Sequence, residues 1–180
     1  MSRLEQDDAV LALQIGRPLR APSTVVSRCD FGLPVVAAVP PILDNGEPFP
    51  TRYWLTCPLA RRRIARIEAH GGVRAAQDTL DRDPVMAARV QAAHHRYRRD
   101  RDALVPAEAD IRPSGGVGGS RGGVKCLHAH YADHAAGHDN PIGLDVSERI
   151  GELRCTEPCV TRVDQDHVRN PNWREAGASD

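Results

Sequence analysis

Cys126, His130 and His134 recur at four-residue spacing within GGVKCLHAHYADH. At roughly 100° per residue, residues so spaced form one ridge of a helix, and a thiolate and imidazoles on one ridge are half of a metal site. The ridge borders an apolar face of Val124, Leu127, Tyr131 and Ala135, so a semi-buried site against a packing partner is expected. His128 falls across that apolar stripe and is a poorer co-ligand. A structural site commonly takes four ligands, and the other cysteines can supply them: Cys29, Cys57 and Cys159, with Cys155 a second late candidate. The alternative is that isolated cysteines serve as small buried residues.

The preceding SGGVGGSRGGV offers a different chemistry. Glycine-rich backbone before a helix N-terminus can hold an anion, and Arg121 and Lys125 would clamp a phosphate or carboxylate there. The alternative is a mobile linker. It is not a P-loop, because Val124 stands in the lysine position and Cys126 where Ser or Thr should follow. His130-x-x-x-His134 has zinc-protease spacing, but Tyr131 replaces the glutamate that mechanism needs. Cys57 and Arg63 match phosphatase-loop spacing, yet Pro58, Leu59 and Ala60 provide none of its glycines. His94 and His95 read as surface or core-edge residues of an arginine-rich helix.

The elements that must position these residues follow from periodicity and punctuation. Leu4 to Ile15 reads as a short helix stopped by Gly16 and Pro18. TVVSRC and LPVVAAV are β-branched runs around Asp30, Phe31 and Gly32, which predicts a hairpin with Cys29 at a strand end; RYWLT is a third strand. Pro58 opens a helix after Cys57, and two more helices follow, Val73 to Leu80 and Pro84 to about Leu104. Val85, Ala88, Val90, Ala92, Tyr97 and Leu104 are candidate core positions of the last. Pro106 to Gly123 is a loop, Gly137 ends the Cys126 helix, NPIG is a turn and Leu144 to Leu153 a short helix. The fold class is therefore α+β, a small antiparallel sheet against several helices, with one domain over 1–160 and a polar, fraying tail over 161–180.

Composition narrows the classes. Lys+Arg and Asp+Glu are 24 each in 180 residues, so no net field argues for nucleic acid or an anionic membrane. The start, MSRLEQDDAV, lacks a signal peptide's pattern and no run reaches a membrane span, which predicts a cytoplasmic protein. Five cysteines in a reducing compartment point away from a disulfide framework. The HHRYRRDRD run is a solvated helix face, or a surface for an acidic partner through Arg98, Arg99 and Arg101.

Several segments in order, DNGEPFPTRYWLTCP, AHHRY, GGVKCLHAH, NPIG and PCV, resemble the bacterial family known as domain of unknown function 501 over about Gly16 to Val160. The chain departs from it in GSRGGV, where many members read more like GMPDRV. The resemblance implies a small cytoplasmic protein of unassigned activity. It also implies cysteine at the positions of Cys29, Cys57, Cys126 and Cys159, with histidine sometimes at the second of them, an exchange that metal ligation tolerates. The expected centre is thus zinc or an iron–sulfur cluster on those four residues, with His130 or His134 as substitute ligands or supports behind the ligands. The competing expectations are an enzyme acting on a small anion held by Arg121 and Lys125, with Cys126 or His130 as nucleophile or base, and an interaction protein using its arginine-rich helices.

Overall fold

The computed structural model describes residues 3–175. It is α+β, as the sequence predicts. After α1 (Arg3–Ile15), strands β1 (Thr24–Arg28), β2 (Pro34–Ala38) and β3 (Tyr53–Leu55) form an antiparallel sheet in that order, with Val36 opposite Leu55 and Thr24 opposite Ala38. The β1–β2 turn closes through Gly32 N–H donating to the Cys29 carbonyl (2.8 Å) and Cys29 N–H to that of Leu33 (3.0 Å). Every residue of the central strand is buried, which is why it reads as an unbroken apolar run.

Helices α2 (Pro58–Ala69), α3 (Gly72–Arg82), α4 (Pro84–Asp102), α5 (Leu127–Ala135) and α6 (Pro141–Ile150) follow; α5 lies against β2 and β3, and the others pack around it and on one another. Helix α5 is the central one, burying Leu127, Ala129, His130, Tyr131, Ala132 and Asp133. NPIG is not a free turn: the Asn140 side chain accepts Gly143 N–H at 3.0 Å and caps α6, and Pro141, with no N–H to lose, occupies its first turn. The helix therefore runs earlier than expected and stops at Ile150. A side chain at Gly143 would overlap the His130 carbonyl and the His134 β-carbon, so glycine is what lets α5 and α6 approach.

The buried ridge of α4 is Val90, His94, Tyr97 and Arg101. Val85, Ala88 and Ala92 fall on the opposite side at helical spacing and are exposed, as is Leu104 beyond the helix end; of the expected core set only Val90 and Tyr97 are buried. His94 is core rather than surface, whereas His95 is exposed. Arg101, expected on a solvated face beside the exposed Arg98 and Arg99, is wholly buried. It donates to the carbonyls of Gly115 (2.8 Å) and Pro113 (3.2 Å) and pairs with Asp102 (2.7 Å), pinning the glycine-rich segment to α4.

The largest departure is C-terminal. Val160–Val163 and Asp166–Arg169 are strands β4 and β5 of a hairpin, not a fraying tail. Its exposed, charged side chains hide the pattern, and its stability comes from docking on α1, where Arg169 donates to the Leu13 carbonyl at 2.9 Å. Beyond it the Arg62 guanidinium stacks 4.7 Å above the Trp173 ring, and Glu175 is buried between Arg63 and Arg66. The fold thus continues past residue 160 to 175; residues 176–180 of the expected tail lie outside the described ones. No helix among the described residues is long and apolar enough to cross a membrane.

Candidate metal centre

Cys126 is not in the first turn of α5 but is its N-cap, in extended conformation. The helical ladder therefore does not apply to it, and its sulfur leaves the ridge of His130 and His134 for His128. Glu68, on the last turn of α2, completes the group. Its Oε1 accepts Leu127 N–H at 2.6 Å, capping α5 from outside, and its Oε2 lies 3.2 Å from His128 Nδ1. Ligand atoms of Glu68, Cys126 and His128 all fall within 4.8 Å of one another.

The second ring nitrogen decides the chemistry. His128 Nε2 is 3.1 Å from the Arg61 carbonyl, which only accepts, so Nε2 carries a proton, and Nδ1 faces Glu68 and the thiol, with a lone pair in the neutral ring and a second N–H in the charged one. A lone pair and a carboxylate oxygen this close require a cation or a proton between them. Burial works against a charged ring here, but the Cys126 thiol, Glu68 and the Arg61 carbonyl outweigh it and hold His128 above its ordinary value. A histidine whose far N–H is tied to a backbone carbonyl is also the usual form of a metal-bound imidazole. Cys126 and His128 face a cleft of ≈ 330 Å³ also lined by Tyr53, Trp54 and Arg61, so the group has one open side.

The remaining cysteines gather elsewhere. Cys29 at the end of β1, Cys57 as the N-cap of α2, and Cys155 and Cys159 from the segment between α6 and β4 line one small apolar cavity, and Cys126 does not. Three of the four cysteines expected to form a centre thus share a cavity; the fourth place is taken by Cys155. Burial, together with the neighbouring Cys159 and Cys29, pushes the Cys57 thiol up to about 11, with the Leu59 and Ala60 N–H groups pulling the other way.

The two ridge histidines serve packing. His130 is wholly buried and donates from Nδ1 to the Asn140 side chain at 3.0 Å; Asn140 in turn donates to Asp133 at 2.9 Å, and Arg96 pairs with Asp133 at 2.5 Å. His134 is half-buried against Gly143. Neither joins the Cys126 group. Of the Gly122–Val124 donors expected to hold an anion, Gly122 N–H is engaged on Ser120 (3.3 Å) and Val124 N–H on Gln77 (3.0 Å), and at the start of α5 Leu127 N–H lies on Glu68. The carboxylate at the N-terminus of α5 is the protein's own. Arg121 and Lys125 are exposed.

Residues 25–148 match the family model described as protein of unknown function (DUF501). The chain belongs to the DUF501 family. Cys29, Cys57, Glu68, Cys126 and His128 lie inside the DUF501 match, and Cys155 and Cys159 beyond its end. Comparison with curated proteins and with solved structures finds no match. Glu68 and His128 escape a sequence reading because one sits in an ordinary amphipathic helix and the other is judged by a helical angle from a residue outside the helix.

Proposed function

We propose that this DUF501 protein binds a single transition-metal ion between Glu68, Cys126 and His128, with its open coordination position facing the Tyr53–Trp54–Arg61 cleft. The observation that carries this is the grouping of Nδ1, the Glu68 oxygen 3.2 Å from it and the Cys126 sulfur within 4.8 Å of one another, with Nε2 committed to the Arg61 carbonyl. Three protein ligands of mixed S, N and O type with a free side are the pattern of an exchangeable zinc site, whereas iron–sulfur clusters are held mainly by several thiolates. Zinc there would polarise a carbonyl or phosphoryl oxygen of a small molecule in the cleft, and Arg61 would pair with its negative charge.

A second reading rests on a different feature of the same group. With a proton rather than a metal between Nδ1 and Glu68, Cys126 lies beside an imidazolium at a helix N-terminus, the environment of a nucleophilic thiolate. Elemental analysis with a visible spectrum, on protein purified without oxygen, separates the two. The metal reading expects colourless protein with zinc, one equivalent of which is lost in Cys126→Ser and in His128→Gln while circular dichroism is unchanged. Metal content equal to wild type in both variants refutes it. Rapid alkylation of Cys126 in metal-free native protein favours the nucleophile.

A further inference from the structure

We infer that Cys29, Cys57, Cys155 and Cys159 form a second, closed zinc site that staples the segment after α6 to the β1–β2 turn and to the N-terminus of α2. The inference is independent of the Glu68–Cys126–His128 centre, since it uses other residues in another cavity.

Four observations support it. The four thiols come from three parts of the chain and all line one cavity, walled otherwise by apolar groups such as Phe31, Leu33, Leu59 and Trp173. Four protein ligands from separate parts of the chain, with Cys57 buried and the other three thiols half-buried, are the donor set of a structural zinc site. The cavity is small, ≈ 10 Å³, the scale of a single bound ion. N–H donors already address the sulfurs: the Gln14 amide donates to Cys159 Sγ at 3.5 Å, and the Leu59 and Ala60 backbone faces Cys57. Zinc thiolates are commonly supported by such donors.

The fourth observation concerns the chain between the helix and the hairpin. From Leu153 to Glu157 the backbone makes no hydrogen bond to other backbone among the described residues, and it has neither helix nor strand. A segment without its own ladder needs an external anchor to hold one path, and Cys155 at its middle with Cys159 just beyond it are placed to be that anchor. All five cysteines of the chain are free thiols, so no disulfide does this work. The sulfurs stand wider than in a loaded site: Glu68, Cys126 and His128 form the group with ligand atoms inside 4.8 Å, and no three of these thiols do. Binding would draw them inward by side-chain rotation.

The test uses the full chain, purified without chelator or oxygen, and counts zinc in wild type and variants. Wild type is expected to hold one zinc at this site besides any at Cys126. Cys155→Ala and Cys159→Ala each lose that equivalent, and Cys126→Ser retains it. Should the alanine variants fail to fold, cobalt loaded into Cys126→Ser gives the second readout: thiolate-to-cobalt charge-transfer absorption of a four-thiolate intensity supports the site. Absorption of one thiolate or none overturns it. Zinc content unchanged in folded Cys155→Ala and Cys159→Ala, or a disulfide joining any two of the four in the native protein, likewise overturns it. Loss of zinc from Cys126→Ser alone would count against this site and leave the other centre standing.

Discussion

Replacing Arg101 by leucine should remove a large part of the protein's stability. The guanidinium has no exposure and is held by Gly115 (2.8 Å), Pro113 (3.2 Å), Ser114 (3.3 Å) and Pro50 (3.4 Å) carbonyls, with Asp102 as counter-ion. Only the first two carbonyl contacts are short enough to count fully. Hydrogen bonds to a charged donor are worth about 1.5–3 kcal/mol each, so losing the two short ones costs about 3–6 kcal/mol, while Asp102, which is exposed, is left to water. A loss of about 4 kcal/mol is therefore expected, against a total stability of about 5–15 kcal/mol for ordinary domains. With a urea dependence of about 2 kcal/mol per molar, the unfolding midpoint should fall by about 2 M, read by circular dichroism and tryptophan fluorescence. Arg101→Lys, which keeps the charge but not the fork, should lose a smaller share. The same segment sets His94 against Val117 and Gln91 against Gly122 before the chain reaches Cys126, so the leucine variant should also bind metal more weakly. A loss below about 1 kcal/mol, the level of a single ordinary hydrogen bond, would refute the view that this arginine organises the glycine segment.

Gly143→Ala should destabilise by about 1–3 kcal/mol in thermal or urea unfolding, because a β-carbon there forces α5 and α6 apart. Glu68→Gln keeps an oxygen for Leu127 N–H, so the metal-free protein should stay within about 1 kcal/mol of wild type while metal affinity falls by about tenfold or more in a competition titration. Burial chiefly, with Arg98 and His95 adding to it, holds His94 below its ordinary value against the opposing Gly123 carbonyl and Asp133. The unfolded chain then takes up the proton first, so this contribution is full above about pH 6.5 and is lost as pH falls below it. His94→Gln should flatten that part of the stability profile, measured by urea unfolding across pH; an unchanged slope would count against a neutral buried ring.

Much of the fold is legible in the chain because its signals are local. The β-branched run through Val35 and Val36, the turn at Gly32, Pro58 behind Cys57 and Gly137 behind α5 each act within a few residues, and the sheet and helices follow from them. The C-terminal hairpin is not legible, since VTRV and DHVR carry no clear alternation and hold together by docking on α1. The start of α6 is a near miss of the same kind: Asn140 and Pro141 read equally as a turn or as a cap, and contact with α5 decides.

For the site, the sequence by itself determined which atoms are available: thiols and imidazoles in a chain with no global charge to steer them. Only the tertiary structure decided their company. Helix α5 begins one residue after Cys126, which turns that sulfur away from His130 and His134 and toward His128 and Glu68. The closing of the chain around α2 brings Cys155 to Cys29, Cys57 and Cys159. Spacing along one helix can be read from a sequence because its period is fixed by the backbone. Convergence of residues about 100 positions apart cannot, because it depends on packing angles and loop paths that no local pattern encodes.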